Sequence, residues 1–270
     1  MKLMKGQCFS AKQLAAFNQD GFLIERDLVS SEYVTDILAV TQRDSNAFLG
    51  DIEYEADVRY PGAPRSLMDE GGRTIRRLRQ AFSRDPVFTK LVKEPFLLQR
   101  LQQLLGPEVV MPLAHHNCVM TKHPQFSSDT GWHRDIRYWS FQTPELISAW
   151  IALGEENPQN GCLRLIPGSH TMQLEVSRLD ANQFLRTGGQ LNADLFDQAI
   201  EAELSAGDVL FFHANCFHSA TRNYTDHTKY SAVFTFRNLS NLPLPGTRSA
   251  ELPELLLEQN SLNQESPVDS

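Results

Sequence analysis

Over the first hundred residues the apolar positions recur at helical spacing, and from residue 109 onward they switch to short alternating or continuous runs. Ser10 is followed three residues later by Gln13, with Phe9 and Leu14 at hydrophobic-staple positions. This capping-box signature predicts a helix over 11–19, stopped by Gly21. Residues 22–24 read as a short strand. Ser30 or Ser31 then opens a second helix with Val34, Ile37, Leu38 and Thr41 on one face. Residues 86–105 carry Phe88, Leu91, Val92, Leu97, Leu98, Leu101 and Leu105 at the spacing of a third helix.

Short strands are expected at 109–113, 117–121, 131–139, 147–153, 163–166, 201–204, 209–213 and 230–236, separated by Gly, Pro, Asn and Asp clusters. The pattern is that of a mainly β fold with flanking α-helices, a jelly roll with N-terminal helices packed on one sheet. Residues 1–240 read as a single domain, with a helical part over 9–105 and a β core over 109–237. Residues 172–199 are polar, contain Gly188-Gly189, and read as an insertion between strands placed to act as a lid. Residues 241–270 read as a Pro-rich, acidic tail with at most one short helix, near 252–258, and a disordered end.

Composition narrows the function classes. The 270 residues carry 25 Lys and Arg against 33 Asp and Glu, a formal charge of −8, which is the wrong sign for a phosphate-backbone binder, so nucleic acid is not an expected partner. Cys8, Cys118, Cys162 and Cys216 form no C-x-x-C pair, and no apolar run follows the N-terminal lysines, so reduced thiols and a cytoplasmic location are expected. The longest apolar run, 146–153, is less than half of a membrane span, and no membrane partner is expected. Oligomeric state is left open.

The first candidate chemistry is Trp132-His133-Arg134-Asp135 on an expected strand. Side chains alternate faces along a strand, so His133 and Asp135 project together as a two-point metal grip while Arg134 turns away. Imidazole plus carboxylate suits a divalent ion such as Fe(II), and a second histidine would complete a facial triad with open positions. His218 is the candidate third ligand, with His213 its competitor.

Asn160-Gly161-Cys162-Leu163, Ile166-Pro167-Gly168-Ser169-His170 and Gly207-Asp208-Val209-Leu210-Phe211-Phe212-His213, together with Asp20-Gly21-Phe22 and Trp132-His133-Arg134-Asp135, resemble in kind and order the phytanoyl-CoA dioxygenase family. The resemblance covers residues 9–237. It implies a double-stranded β-helix, cupin-like, that holds Fe(II) and uses 2-oxoglutarate and O2 to hydroxylate a small molecule, releasing succinate and CO2. It also implies His133, Asp135 and His218 as metal ligands, since His218 is followed by Ser219 and Asn223 as the family places its distal histidine. His213 and His170 are then structural. The presence of Asp135 argues for hydroxylation, because related halogenases carry a small residue there.

The family arginine that holds the distal carboxylate of 2-oxoglutarate falls here at Lys229. A lysine offers a point charge where a guanidinium offers a fork. Ser231 shares the face of Lys229 and could add a hydroxyl, and Arg237 farther along that face is an alternative anchor. Persistence of the alternation would put Arg137 on the face of His133 and Asp135. Arg137, Arg237 and His116 are therefore candidate substrate residues, which points to a small anionic metabolite or an acyl thioester; the competing expectation is that acids of 51–69 or 180–197 neutralise those arginines. Two rival functions remain at this point: a jelly-roll metalloenzyme that does not use 2-oxoglutarate, and a non-catalytic small-molecule binding module of the same fold.

Overall fold

The computed structural model describes residues 8–258. Ser10 accepts the Gln13 amide while the Gln13 side chain closes back on the Ser10 amide, so helix α1 (Ala11–Asp20) begins on a complete capping box. It ends at Gly21 in the left-handed region (φ 82°). A Cβ on Gly21 would lie 2.4 Å from His170 Nδ1, so the glycine lets the helix end meet the Pro167-Gly168-Ser169-His170 turn. Strand β1 (Phe22–Glu25), helix α2 (Ser31–Ala47), strands β2 (Ile52–Tyr54) and β3 (Ile75–Arg79), and helices α3 (Pro86–Val92) and α4 (Pro95–Leu105) follow. The single helix expected over 86–105 is thus two. Pro95 stands at the start of α4 and holds Glu94 extended (φ −63°, ψ 133°), which stops α3 before it.

The remaining elements are β4 (Val109–Pro112), β5 (Asn117–Lys122), β6 (Thr130–His133), β7 (Leu146–Ala152), β8 (Leu163–Leu165), α5 (Ala193–Phe196), β9 (Ile200–Glu201), β10 (Val209–His213), β11 (His218–Ala220), β12 (Lys229–Asn238) and β13 (Glu254–Leu257). They form a nine-stranded sheet, β1-β10-β7-β12-β5-β3-β2 with β4 and β13 attached at the far end of β12, and a four-stranded sheet, β6-β11-β8-β9. Every pairing is antiparallel. The double-stranded jelly roll is therefore the fold. Strands β1, β2 and β3 join the large sheet, so the N-terminal part is not helical throughout. Nor do 252–258 form a helix: the edge of β4 pairs with all four residues of β13, whose backbone hydrogen bonds go across to that strand. The disorder expected at the chain end concerns residues outside those described.

Burial explains why the core strands read as continuous apolar runs. On β12, Ala232, Phe234 and Phe236 pack outward against the helices, in one cluster with Phe88, Leu91, Leu97, Leu98 and Leu101, whereas Val233 packs inward in a second cluster with Trp150, Leu163, Leu165, Leu210 and Phe212. Both faces of β12 are covered, so its inward positions Lys229, Ser231, Val233, Thr235 and Arg237 are buried although four of the five are polar. Among the described residues no helix is long and apolar enough to cross a membrane.

Candidate functional site

The site is assembled by register. His133 ends β6 and His218 begins β11, and the two are directly paired across the small sheet, with ring centroids 4.3 Å apart. β6 stops at His133, but Arg134 stays extended (φ −110°, ψ 137°), which returns Asp135 to the face of His133. Asp135 Oδ1 lies 3.7 Å from His133 Nε2 and 3.6 Å from His218 Nε2. One ligand atom from each of the three buried residues falls within 4.8 Å of the others.

Both imidazoles are held the same way. His133 Nδ1 is 2.9 Å from the Gly131 carbonyl and His218 Nδ1 is 3.1 Å from the Cys216 carbonyl. Donation from Nδ1 leaves each Nε2 as a bare lone pair aimed at Asp135, the tautomer a metal requires. Burial, reinforced by His218, pushes the His133 pKa well below its ordinary value, so the ring is neutral. Burial alone would raise the Asp135 carboxyl, but His116, His218, His133 and Arg77 outweigh it and hold it below the usual carboxylate range. Asp135 Oδ2 is buried with no hydrogen-bond partner. Two imidazoles held through Nδ1 and one carboxylate, its second oxygen buried and unsatisfied, fit a divalent cation such as Fe(II).

The motifs that carry the family resemblance support the triad. Ser169 Oγ donates to the Ile166 carbonyl (2.6 Å) and accepts the Phe217 amide (2.8 Å), tying the Pro-Gly-Ser turn to the residue before His218. Gly161 has φ 76°, and a Cβ there would lie 2.3 Å from the Thr221 carbonyl and 3.0 Å from Lys122 Cδ, so only glycine brings this loop against β11. His213 has both ring nitrogens engaged, with Glu145 Oε2 (3.1 Å) and the Asn215 amide (3.0 Å), and lies outside the cluster.

A cavity of about 580 Å³ opens beside the triad, lined by Trp150, Lys122, Gly161, Leu163 and Ser219 at one part of its wall and by Tyr60, Arg77, His116, Tyr138 and Trp139 elsewhere. His116, one residue before β5, lines the cavity with its Nδ1 3.5 Å from Asp135 Oδ2. Lys229 and Ser231 are brought together but are already engaged: Lys229 Nζ donates to Glu156 Oε2 (2.8 Å) and Ser231 Oγ (3.3 Å), and Ser231 Oγ donates to Glu156 Oε1 (2.6 Å). Sequence reasoning missed Lys122, the cross-strand partner of Lys229. Its Nζ donates to the carbonyls of Ser128 (3.1 Å) and Thr221, and among the described residues no carboxylate pairs with it. A lysine amid the apolar alternation of β5 was the available signal.

Two candidate substrate residues lie elsewhere. The alternation does not persist past Asp135, because residues 135–138 form a 3₁₀ turn; Arg137 donates to the Asn182 carbonyl (2.6 Å), its guanidinium 3.6 Å from the centre of the Phe184 ring. Arg237 does share the face of Lys229, but roughly 26 Å along β12 at strand rise, where it is sealed by Glu254 and the carbonyls of Asn238 (2.8 Å) and Leu239 (2.9 Å). Four arginines line the cavity; Arg76, Arg77 and Arg79 meet Glu53, Glu55 and Asp51, so acids of the 51–69 segment neutralise these three in large part, while Arg248 lies on another part of the wall. The insertion packs as a wall: the Leu185 amide donates to the Trp132 carbonyl (2.9 Å), Phe196 stacks on Trp132, and Phe184 faces the His133 ring at 5.7 Å.

Two facing antiparallel sheets with this His-x-Asp and His cluster at their mouth define a jelly-roll oxygenase of the Fe(II)- and 2-oxoglutarate-dependent class. The family model described as phytanoyl-CoA dioxygenase (PhyH) matches residues 17–231, and the chain belongs to that family. An ectoine dioxygenase of Bordetella parapertussis is 24% identical over 293 residues, covering 97% of this chain and 86% of that protein. A probable phytanoyl-CoA dioxygenase of Caenorhabditis elegans is 24% identical over 264 residues, covering 94% and 84%. Among solved structures, EctD from S. alaskensis with 2-oxoglutarate and 5-hydroxyectoine superposes with a TM-score of 0.70 at 22% identity, covering 87% of this chain and 78% of that one. The epimerase SnoN from nogalamycin biosynthesis, α-ketoglutarate dependent, gives 0.68 at 19%, covering 87% and 85%. These likenesses establish the fold.

Proposed function

We propose that the chain hydroxylates a small polar metabolite, with His133, Asp135 and His218 holding Fe(II), which when bound supplies the activation of O2 at the expense of 2-oxoglutarate, giving succinate and CO2. The observation that carries this is the paired register of His133 and His218 with Asp135 between them, each histidine fixed through Nδ1. The distal carboxylate of 2-oxoglutarate goes to Lys122, which lines the cavity beside Trp150, with Lys229, its cross-strand partner, already paired with Glu156. Cavity size supports a metabolite of ordinary dimensions; an acyl thioester would leave its carrier outside. Arg77 supports an anionic group on the substrate: its Nε meets Glu53 only at 3.4 Å and Met120 Sδ at 3.2 Å. Tyr60 and Tyr138, their hydroxyls 3.0 Å apart, stand at the solvent-facing rim of the cavity, and His116 lies beside the free Asp135 oxygen, at 3.5 Å. Four free cysteines, three of them buried, support a reducing compartment, the cytoplasm.

The test is a panel of small acids against their amides or esters, scored by stimulated conversion of 2-oxoglutarate to succinate. Acids are expected to stimulate best, with the preference lost in Arg77→Gln. Equal stimulation by neutral analogues refutes the anionic substrate; absence of Fe(II)-dependent succinate formation with every compound refutes the reaction.

A further inference from the structure

The co-substrate end of the cavity is backed by one carboxylate that the reaction does not use. Glu156 lies just beyond β7, in a segment bridged to Leu204, and its side chain is wholly buried (0% exposed). Every neighbour that fixes it is a donor: Trp150 Nε1 (2.9 Å) and Ser231 Oγ (2.6 Å) to Oε1, and Lys229 Nζ (2.8 Å) to Oε2. Trp150 lines the cavity, and Lys229 Nζ lies 5.1 Å from the centre of its ring. Among the described residues no acid is in contact with Lys122, paired across from Lys229 on β5; Glu55 and Asp129, which act on it from farther off, are paired with Arg76 and Arg222. The ammoniums therefore present one uncompensated positive charge between them with Glu156 ionised, and two without it.

We propose that Glu156 is a built-in counter-ion that sets co-substrate selectivity: it occupies Lys229, leaves Lys122 as the ammonium for the distal carboxylate, and so restrains the preference for dicarboxylic over monocarboxylic 2-oxo acids. The inference rests on the co-substrate placement proposed above. The physical reason is that in a buried site the attraction of a second ammonium for the incoming carboxylate is cancelled by an equally close anion. A monocarboxylic acid such as 2-oxopentanoate carries the same metal-chelating end and no distal charge, so it is blind to Glu156. That separates charge selectivity from general damage to the site.

The experiment is anaerobic calorimetric titration of the Fe(II)-loaded protein with 2-oxoglutarate and with 2-oxopentanoate, read as the ratio of their dissociation constants. Glu156→Gln is expected to raise the preference for 2-oxoglutarate about tenfold or more, Lys229→Met to lower it by a similar factor, and the double variant to return it near the wild-type ratio, with 2-oxopentanoate affinity little changed throughout. Should Glu156→Gln not fold, the comparison of Lys229→Met with the double variant carries the test, since the double variant removes both members of the Glu156–Lys229 pair and leaves neither without the other. An unchanged ratio in Glu156→Gln, or a double variant as poor as Lys229→Met, overturns the proposal and makes Lys229 a direct anchor. If the wild type binds neither acid, the co-substrate placement itself fails, and the selectivity role with it.

Discussion

Replacing Lys122 by Met isolates the charge on which co-substrate binding rests, because Met keeps an unbranched apolar stem and removes the ammonium. Lys122 is 8% exposed. Burial pushes its pKa down from 10.5 to about 7, with Arg76 and Lys229 adding repulsion and Glu55 and Asp129 opposing it. Between those two values the unfolded chain binds a proton that the folded protein does not. Lys122 therefore weakens the ligand-free fold at and below pH 7, and that cost is relieved as pH rises toward 10.5. Binding of 2-oxoglutarate has the opposite dependence, since it requires the charged form: affinity should fall about tenfold per pH unit above neutrality. Losing one partner of a desolvated charge pair costs ~2–5 kcal/mol, so Lys122→Met should raise the 2-oxoglutarate dissociation constant ~30-fold or more below neutrality. The variant should also lose the alkaline decline in affinity and, free of ligand in mildly acidic buffer, melt at a higher temperature than wild type. Anaerobic calorimetry across neutral pH and thermal melting read all three. Wild-type affinity in Lys122→Met, or an unchanged pH slope, would show that the cation is elsewhere.

The remaining expectations are more local. Alanine at His133, Asp135 or His218 should abolish Fe(II) binding in equilibrium dialysis while leaving the circular dichroism spectrum intact, since the large cluster between the helices and the nine-stranded sheet includes no residue of the triad; His213→Ala should retain the metal, and the reverse result would exchange the two histidines. Gly161→Ala combines a left-handed backbone with a Cβ 2.3 Å from the Thr221 carbonyl, and should lower stability by ~1–3 kcal/mol in urea unfolding. Arg137→Gln removes the contacts to Asn182 and Phe184. It should speed proteolytic cleavage within 172–199 without changing 2-oxoglutarate affinity, and an unchanged cleavage rate would show that other contacts hold the wall.

Local patterns were legible where the physics is local. Ser10 with Gln13 announces a helix start because a capping box needs nothing beyond four residues, and His133 with Asp135 announces a shared face because an extended backbone repeats every two. That parity survived even though β6 ends at His133, since Arg134 alone had to remain extended; it failed two residues later at Arg137, where the chain turned. The pairing of His133 with His218, by contrast, depends on the register between β6 and β11, and came into view from the sequence only through the family resemblance. Lys229 shows the limit most clearly. Its place on the inner face of β12 follows from alternation, but its partner Glu156 stands 73 positions earlier, and the neighbouring Lys122 meets it only through the β5–β12 register. Sequence by itself determined which side chains could face inward and which chemistry they could supply. Only the tertiary structure decided which buried charges already have partners, because an ion pair is fixed by the packing of distant segments and carries no period along the chain.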